Sequence, residues 1–162
     1  MESSAVRLAA RMAALTNLYV WLRFFHLFGL AVFLFAHGIS GGASLLLRST
    51  VSPDTRQLLR LSQRSSFISN PALLIVIITG VWMAFDADLW GRAWMWAGIV
   101  VLVAVLGAMG FISRPYYMAR DAAKESDDVL AQRLSRARPI PALLIGAVGL
   151  AVLIFLMVLK PF

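Results

Sequence analysis

The sequence predicts an all-α, polytopic membrane protein that folds as an antiparallel four-helix transmembrane bundle in one domain. Of its 162 residues, 60% are hydrophobic and 14% are charged, and the mean hydropathy is +0.81. A soluble domain of this size needs more polar residues to cover its surface. The hydrophobic residues also fall in continuous blocks, each near the roughly 20 helical residues that cross a bilayer. The composition and the blocks therefore both indicate membrane spans.

Four such blocks define the predicted spans, which are residues 18–47, 67–85, 93–112 and 141–159. The first is long enough to require tilt. The second has Pro71 near its start, where a proline costs no helical hydrogen bond. The link between the second and third spans is so short that these helices are expected to be antiparallel neighbours. The other two links, residues 48–66 and 113–140, are longer, and each is expected to hold a short amphipathic helix.

The positive charges predict the orientation of the bundle. Ten of the fifteen Lys and Arg residues lie in the loops 48–66 and 113–140. Because basic loops stay in the cytoplasm, both loops are predicted to be cytoplasmic and both termini to lie on the outer face. Residues 1–16 are expected to form a short amphipathic tail at the membrane surface.

Short matches between the two halves of the chain predict an internal duplication. The segment PALLI occurs at residues 71–75 and again at 141–145. Three glycines of the first span match three of the third at a constant offset: Gly29, Gly38 and Gly41 with Gly98, Gly107 and Gly110. We interpret this as a duplicated helical hairpin, related by an axis along the membrane normal.

The chain has two histidines, His26 and His37, and both lie in the first span. Eleven residues at about 100° each return to nearly the same helix face, with roughly 16 Å of rise between the rings. The stripe they share is predicted to point into the bundle. Its members are His26, Gly29, Leu30, Phe33, His37, Ser40, Gly41 and Ser44. The polar side chains within reach of the rings are Ser40, Ser44, Ser69, Asn70 and Thr79.

A neutral imidazole inside a helical bundle is a common axial ligand of haem iron, so both histidines are candidate ligands of a haem b. Two histidines on one helix face cannot bind one iron from opposite sides. Three arrangements remain open: one histidine with an open position or a methionine, two haems at different depths, or a site shared across a homodimer. The candidate methionines are Met83, Met95 and Met109. For His37, a packing role beside the Gly38-xxx-Gly42 motif is equally open.

Residues 21–27, WLRFFHL, resemble the first-span signature of the four-span bacterial protoporphyrinogen oxidases. Ile140-Pro141 and Lys160-Pro161-Phe162 are similar to that family's last helix. The copper-resistance D-type membrane proteins, and short four-span relatives of unassigned function, share the general pattern. The resemblance implies a bacterial inner-membrane oxidoreductase that binds haem b or porphyrin at His26 and passes electrons to quinone. In the third span, where that family has a His and a Lys, this chain has Trp94-Met95-Trp96-Ala97-Gly98, so the resemblance implies haem binding more directly than catalysis.

Arg23 lies one helical turn before His26 and has two interpretations. Its guanidinium can reach the outer headgroups, or it can hold a haem propionate through two hydrogen bonds. Two other functions remain open from the sequence: a non-catalytic structural or assembly subunit of a larger membrane complex, and a copper or small-solute carrier that uses Met95 or Met109. The loops lack the glycine-rich, metal-spaced or aromatic-basic patterns typical of nucleotide or nucleic-acid binding.

Overall fold

The computed structural model describes residue 13, residues 17–47 and residues 51–161. The predicted tail at residues 1–16, apart from residue 13, lies outside the described residues, as do Arg48 and Phe162. The predicted fold class is confirmed, because four long apolar helices are present and the described residues contain no strand. The helices are α1 (Leu18–Leu46), α2 (Thr55–Asp86), α3 (Ala93–Asp121), α4 (Asp127–Ser135) and α5 (Pro139–Leu159), with a 3-10 turn at Ala122–Lys124.

Two helices extend well beyond their apolar segments. α2 begins at Thr55 rather than near residue 67, and α3 continues to Asp121. Residues 55–66 are therefore continuous with the second span and form no separate helix, whereas α4 supplies the short helix expected in the second loop. Hydropathy identifies the residues that suit the hydrocarbon of the bilayer. Outside the bilayer, residues such as Arg, Gln and Leu still favour a helix, so hydropathy does not locate the ends of α2 and α3.

This extension makes the prediction for Pro71 wrong. Pro71 lies inside α2 and not at its start, so it cannot donate the helical hydrogen bond to the carbonyl of Phe67. Pro115 interrupts the bonding of α3 in the same way. Such prolines are tolerated in membrane helices when local adjustments or neighbouring groups satisfy the released carbonyl.

The closest helix packing occurs within two hairpins, α1 with α2 and α3 with α5. On α1 the buried residues recur every seventh position, at Leu22, Gly29, Ala36 and Ala43. On α5 they recur in the same way, at Ala142, Gly149 and Leu156. A seven-residue repeat keeps one seam of each helix facing its partner along the whole contact. The helices therefore pair as two hairpins. This pairing does not test the internal duplication inferred from the sequence, which stays a prediction.

The two hairpins meet through side chains at both ends of the bundle. At one end, Leu130 and Leu134 of α4 pack with Leu59 of α2 and Tyr116 of α3. We call this the basic end, because the arginine-rich loops lie there. At the other end, Ala84 of α2 packs with Trp94 and Met95 of α3. These contacts make α2 and α3 antiparallel neighbours, as expected from their short link.

Candidate functional site

His26 lies on the face of α1 that packs against α2. Its Nδ1 is 2.9 Å from the backbone oxygen of Val76 and 3.2 Å from Oγ1 of Thr79. The ring is half-buried. The seven-residue seam explains this position, because His26 follows the buried Leu22 by four residues and precedes the buried Gly29 by three. The prediction that His26 points into the bundle is therefore correct, and Thr79 is its partner among the side chains singled out from the sequence.

The contacts of Nδ1 define the tautomer of the ring. A carbonyl oxygen only accepts hydrogen bonds, so Nδ1 must carry the proton that it donates to Val76. The Thr79 hydroxyl donates its own proton to the carbonyl of Ile75, at 2.6 Å. It therefore does not donate a proton to Nδ1. The other ring nitrogen, Nε2, consequently has a lone pair, and no described residue forms a hydrogen bond with it. A histidine held through Nδ1–H to a carbonyl, with Nε2 unprotonated, is the usual form of a metal-ligating imidazole.

Gly80 completes the surroundings of the His26 ring on α2. A Cβ at this position would lie 3.1 Å from Cε1 and 3.4 Å from Nδ1 of His26. A side chain here would therefore press against the ring and displace it. Sequence reasoning missed both Gly80 and the Val76 carbonyl, because neither has a chemical signature of its own. Pairing α1 and α2 as an antiparallel hairpin in register would have placed them opposite His26.

His37 has different surroundings. Its ring stacks on Phe33 of the same helix, with centroids 5.1 Å apart and an interplanar angle of 22°, and no hydrogen bond to a described residue accompanies this contact. The neighbouring Gly38, Gly41 and Gly42 have open space where a Cβ would be. Among the described residues, the Gly38-xxx-Gly42 motif therefore packs against no other helix. The two histidines share a helix but not a common set of partners.

The other residues predicted for the site are not brought together with His26. Arg23 is exposed and forms no hydrogen bond or ion pair with a described residue. Met95 is buried against Ala84 and Trp94, and the Met109 side chain lies against Gly146. Both methionines therefore have packing roles, and neither is shown in contact with His26. The described residues also contain no cluster of three or more His, Asp or Glu side chains able to hold a metal ion.

Two cavities differ sharply in chemistry. An apolar groove of about 440 Å³ on α2 is lined by Ile77, Ile78, Val81, Trp82 and Phe85. A cavity of about 30 Å³ at the basic end is lined by polar and apolar side chains from α1, α3 and the start of α5. Neither is lined by a histidine. The groove lies at the depth of His26 along α2 but on the opposite face of that helix, because at about 100° per residue its lining side chains point away from Val76, Thr79 and Gly80.

The serines predicted as partners for the histidines bond elsewhere. Ser40 lies 2.7 Å from the hydroxyl of Ser62 on α2, and Ser44 donates to the carbonyl of Gly41 at 2.7 Å. Ser69 donates within α2, to the carbonyl of Ser66, and Asn70 is exposed. Thr79 is thus the one residue of this set that contacts an imidazole within the described chain.

Comparison with known proteins adds no further assignment. The geometry supports an integral membrane protein with one imidazole oriented through Nδ1 between its first two helices. No protein-family model matches the chain, and no curated protein or solved structure is significantly similar to it.

Proposed function

We propose that this chain is a bacterial inner-membrane haem protein in which Nε2 of His26 is an axial ligand of a haem b, and that it takes part in electron transfer. The observation that carries the proposal is the 2.9 Å contact between Nδ1 of His26 and the Val76 carbonyl. This contact leaves Nε2 unprotonated and holds the ring in one orientation. Hydrogen bonding of the distal nitrogen also increases the basicity of a ligating imidazole.

Two features of the surroundings of His26 support the proposal. Gly80 lets the imidazole ring pack close to the backbone of α2, and this contact helps to hold the ring in place. Arg23, one turn away on α1, is exposed and without a described partner, so its guanidinium is available to a propionate.

The described hydrogen-bond contacts of His26, Val76 and Thr79, supply no further side chain that would hold a haem iron. Of the arrangements that the sequence left open, we propose an open coordination position or a ligand from a second copy of the chain. His37 is one candidate for the second case, because it stands beside the unfilled Gly38-xxx-Gly42 face. A haem b bound at this site would supply reversible one-electron transfer at its iron. The protein would position the imidazole and keep bulk water away.

We further propose that the basic end faces the cytoplasm and that both termini lie outside, in agreement with the positive-inside rule. The electron partner that the resemblance implies is a membrane quinone. Porphyrin oxidation is a second reaction that the resemblance implies. The described contacts of His26 include no second base for proton removal, so we favour electron transfer over porphyrin oxidation.

The proposal is tested by the absorption spectrum of the detergent-purified protein from cells supplied with a haem precursor. We expect a Soret band and reduced-state bands that His26→Ala abolishes. His37→Ala, a change at a second half-buried histidine in the same span, is the matched control for loss of a ring. It retains the Soret band unless the site is shared between two copies, in which case the spectrum and the oligomeric state change together.

A colourless, folded wild-type protein would overturn the proposal. Partner proteins that copurify with that colourless chain would favour the assembly-subunit alternative. Copper bound to the protein, and lost on Met95→Leu or Met109→Leu, would favour the carrier alternative. A Soret band of equal strength in His26→Ala would show that another residue holds the haem.

A further inference from the structure

The small cavity at the basic end lies where three helices converge. Its lining includes Ser44 of α1, Ser113 and Tyr116 of α3, and Arg138 at the start of α5. It therefore touches both hairpins, in a region remote from His26. The cavity encloses about 30 Å³.

Two hydroxyl groups that line this cavity have no described hydrogen-bond partner. Tyr116 is 6% exposed, and its hydroxyl is buried and unpaired. Ser62 is a polar neighbour of Tyr116, but it leaves the Tyr116 hydroxyl without a hydrogen-bond partner, and the Ser62 hydroxyl is bonded to that of Ser40. Ser113, one turn earlier on α3, is half-buried and also lacks a described partner. Buried hydroxyls without partners are rare, and each one indicates a water, an ion or a ligand that satisfies it.

The size and the chemistry of the cavity decide which occupant it takes. A buried water requires roughly 10–15 Å³ of accessible volume and two to four polar partners. The cavity meets the first requirement, and the hydroxyls of Tyr116, Ser113 and Ser44 meet the second. Ser44 donates to Gly41, and its oxygen can still accept a bond. A single oxygen of a lipid headgroup offers the same hydrogen-bonding chemistry as water, and the structural test below distinguishes the two.

We infer that this cavity binds one ordered water molecule, which bridges the Tyr116 and Ser113 hydroxyls to Ser44 and thereby links the two hairpins at the basic end. The water accepts from Tyr116 and satisfies an otherwise unpaired buried donor. It also connects α1 to α3, a pair of helices with very few other close backbone contacts. The bridge is independent of the haem proposal, because none of its residues contacts His26.

A double-mutant cycle tests the bridge in the intact protein. Tyr116→Phe and Ser113→Ala each remove one hydroxyl with little change in shape. If both hydroxyls bind the same water, the combined effect on the unfolding equilibrium departs from the product of the single effects by about threefold or more. The control cycle pairs Tyr116→Phe with Ser135→Ala, whose hydroxyl bonds the carbonyl of Gln132 on the exposed side of α4. This control is expected to be multiplicative.

A structure at a resolution that shows ordered water provides the second test. We expect an isolated density peak within hydrogen-bond distance of the Tyr116 and Ser113 hydroxyls, absent in Tyr116→Phe. Density continuous with a lipid headgroup would identify a lipid oxygen as the occupant and overturn the assignment to water. An empty cavity, with Tyr116 bonded directly to Ser62, would overturn it as well.

Discussion

The two hairpins share close packing at glycines, but only the first adds hydrogen bonds between its helices among the described contacts. In the α1–α2 hairpin, polar side chains bond across the interface: Ser40 to Ser62, and His26 to Val76 and Thr79. In the α3–α5 hairpin, glycines receive apolar side chains of the partner helix, as Gly149 receives Val105 and Gly146 receives Met109. Lipid chains are as apolar as leucine, so helices in a membrane associate through hydrogen bonds or through close backbone approach. The first hairpin uses both, since Gly29 of α1 also lies close to Ile75, Val76 and the Ala72 carbonyl of α2, whereas the described contacts between α3 and α5 show close approach without an interhelical hydrogen bond.

This difference indicates which hairpin holds the candidate site and which has a mainly structural role. A polar group in a membrane span is costly unless it has a partner, and it therefore marks a place where function or specificity repays the cost. The described interhelical polar contacts within the spans are concentrated on α1 and α2, along with both histidines. The α3–α5 seam has an apolar lining and no titratable side chain among its glycine contacts. The first hairpin is accordingly where we place the candidate site.

The largest expected effect comes from filling the glycine seam of the second hairpin. A Cβ at position 149 would clash with the branched side chain of Val105, so Gly149→Ala must displace that side chain or push the two helices apart. We expect a loss of about 1–3 kcal/mol in the free energy of unfolding, as is typical of overpacking. Unfolding titrations in detergent micelles measure it. Val105→Ala in the same chain should restore part of the loss by removing the methyl groups that clash.

Gly107→Ala is the matched control for that experiment, because a Cβ at this exposed glycine of α3 meets nothing within 4 Å. Its effect is expected to stay within about 0.5 kcal/mol, as for surface changes in general. Equal effects of the two substitutions would show that the second hairpin does not depend on close approach at Gly149. The contrast between the hairpins would then be lost.

A smaller effect is expected from replacing the histidines, measured on protein prepared without haem. His26→Phe removes the bonds to Val76 and Thr79, and interhelical hydrogen bonds in membrane proteins average about 0.6 kcal/mol with a maximum near 1.7. We expect a loss in that range. His37→Phe removes a ring that stacks on Phe33 without a described hydrogen bond, and its effect should be about 0.5 kcal/mol or less. A larger loss for His37→Phe would contradict the different roles assigned to the two rings.

The smallest effect expected from breaking a hydrogen bond is that of the serine pair. Ser62 is fully buried, and its hydroxyl is 2.7 Å from that of Ser40. Ser40→Ala should cost about 0.6 kcal/mol, and Ser40→Ala with Ser62→Ala should cost less than the sum of the two single changes, since either change breaks the same bond. Strict additivity in the same unfolding titration would show that this bond does not stabilise the first hairpin.

The sequence predicted the fold class and the apolar centres of the spans because hydrocarbon admits only long apolar segments with satisfied backbones. It misplaced the start of α2 and the position of Pro71, since a helix that leaves the membrane loses its hydropathy signal but not its hydrogen bonds. It also predicted that His26 points into the bundle with Thr79 as a candidate partner. It could not predict Val76 as a partner, because every residue carries a carbonyl and only helix packing selects one.

By itself, the sequence determined that this chain spans a membrane four times and that its two imidazoles lie in the first span. Both conclusions follow from the order of residue types along the chain. Tertiary structure alone decided that one imidazole donates through Nδ1 to a neighbouring helix while the other stacks on a phenylalanine of its own helix. On an ideal helix, His26 and His37 would lie on nearly the same face. The buried seam of α1 repeats every seven residues, so the two rings lie at different angles to the partner helix and have different surroundings.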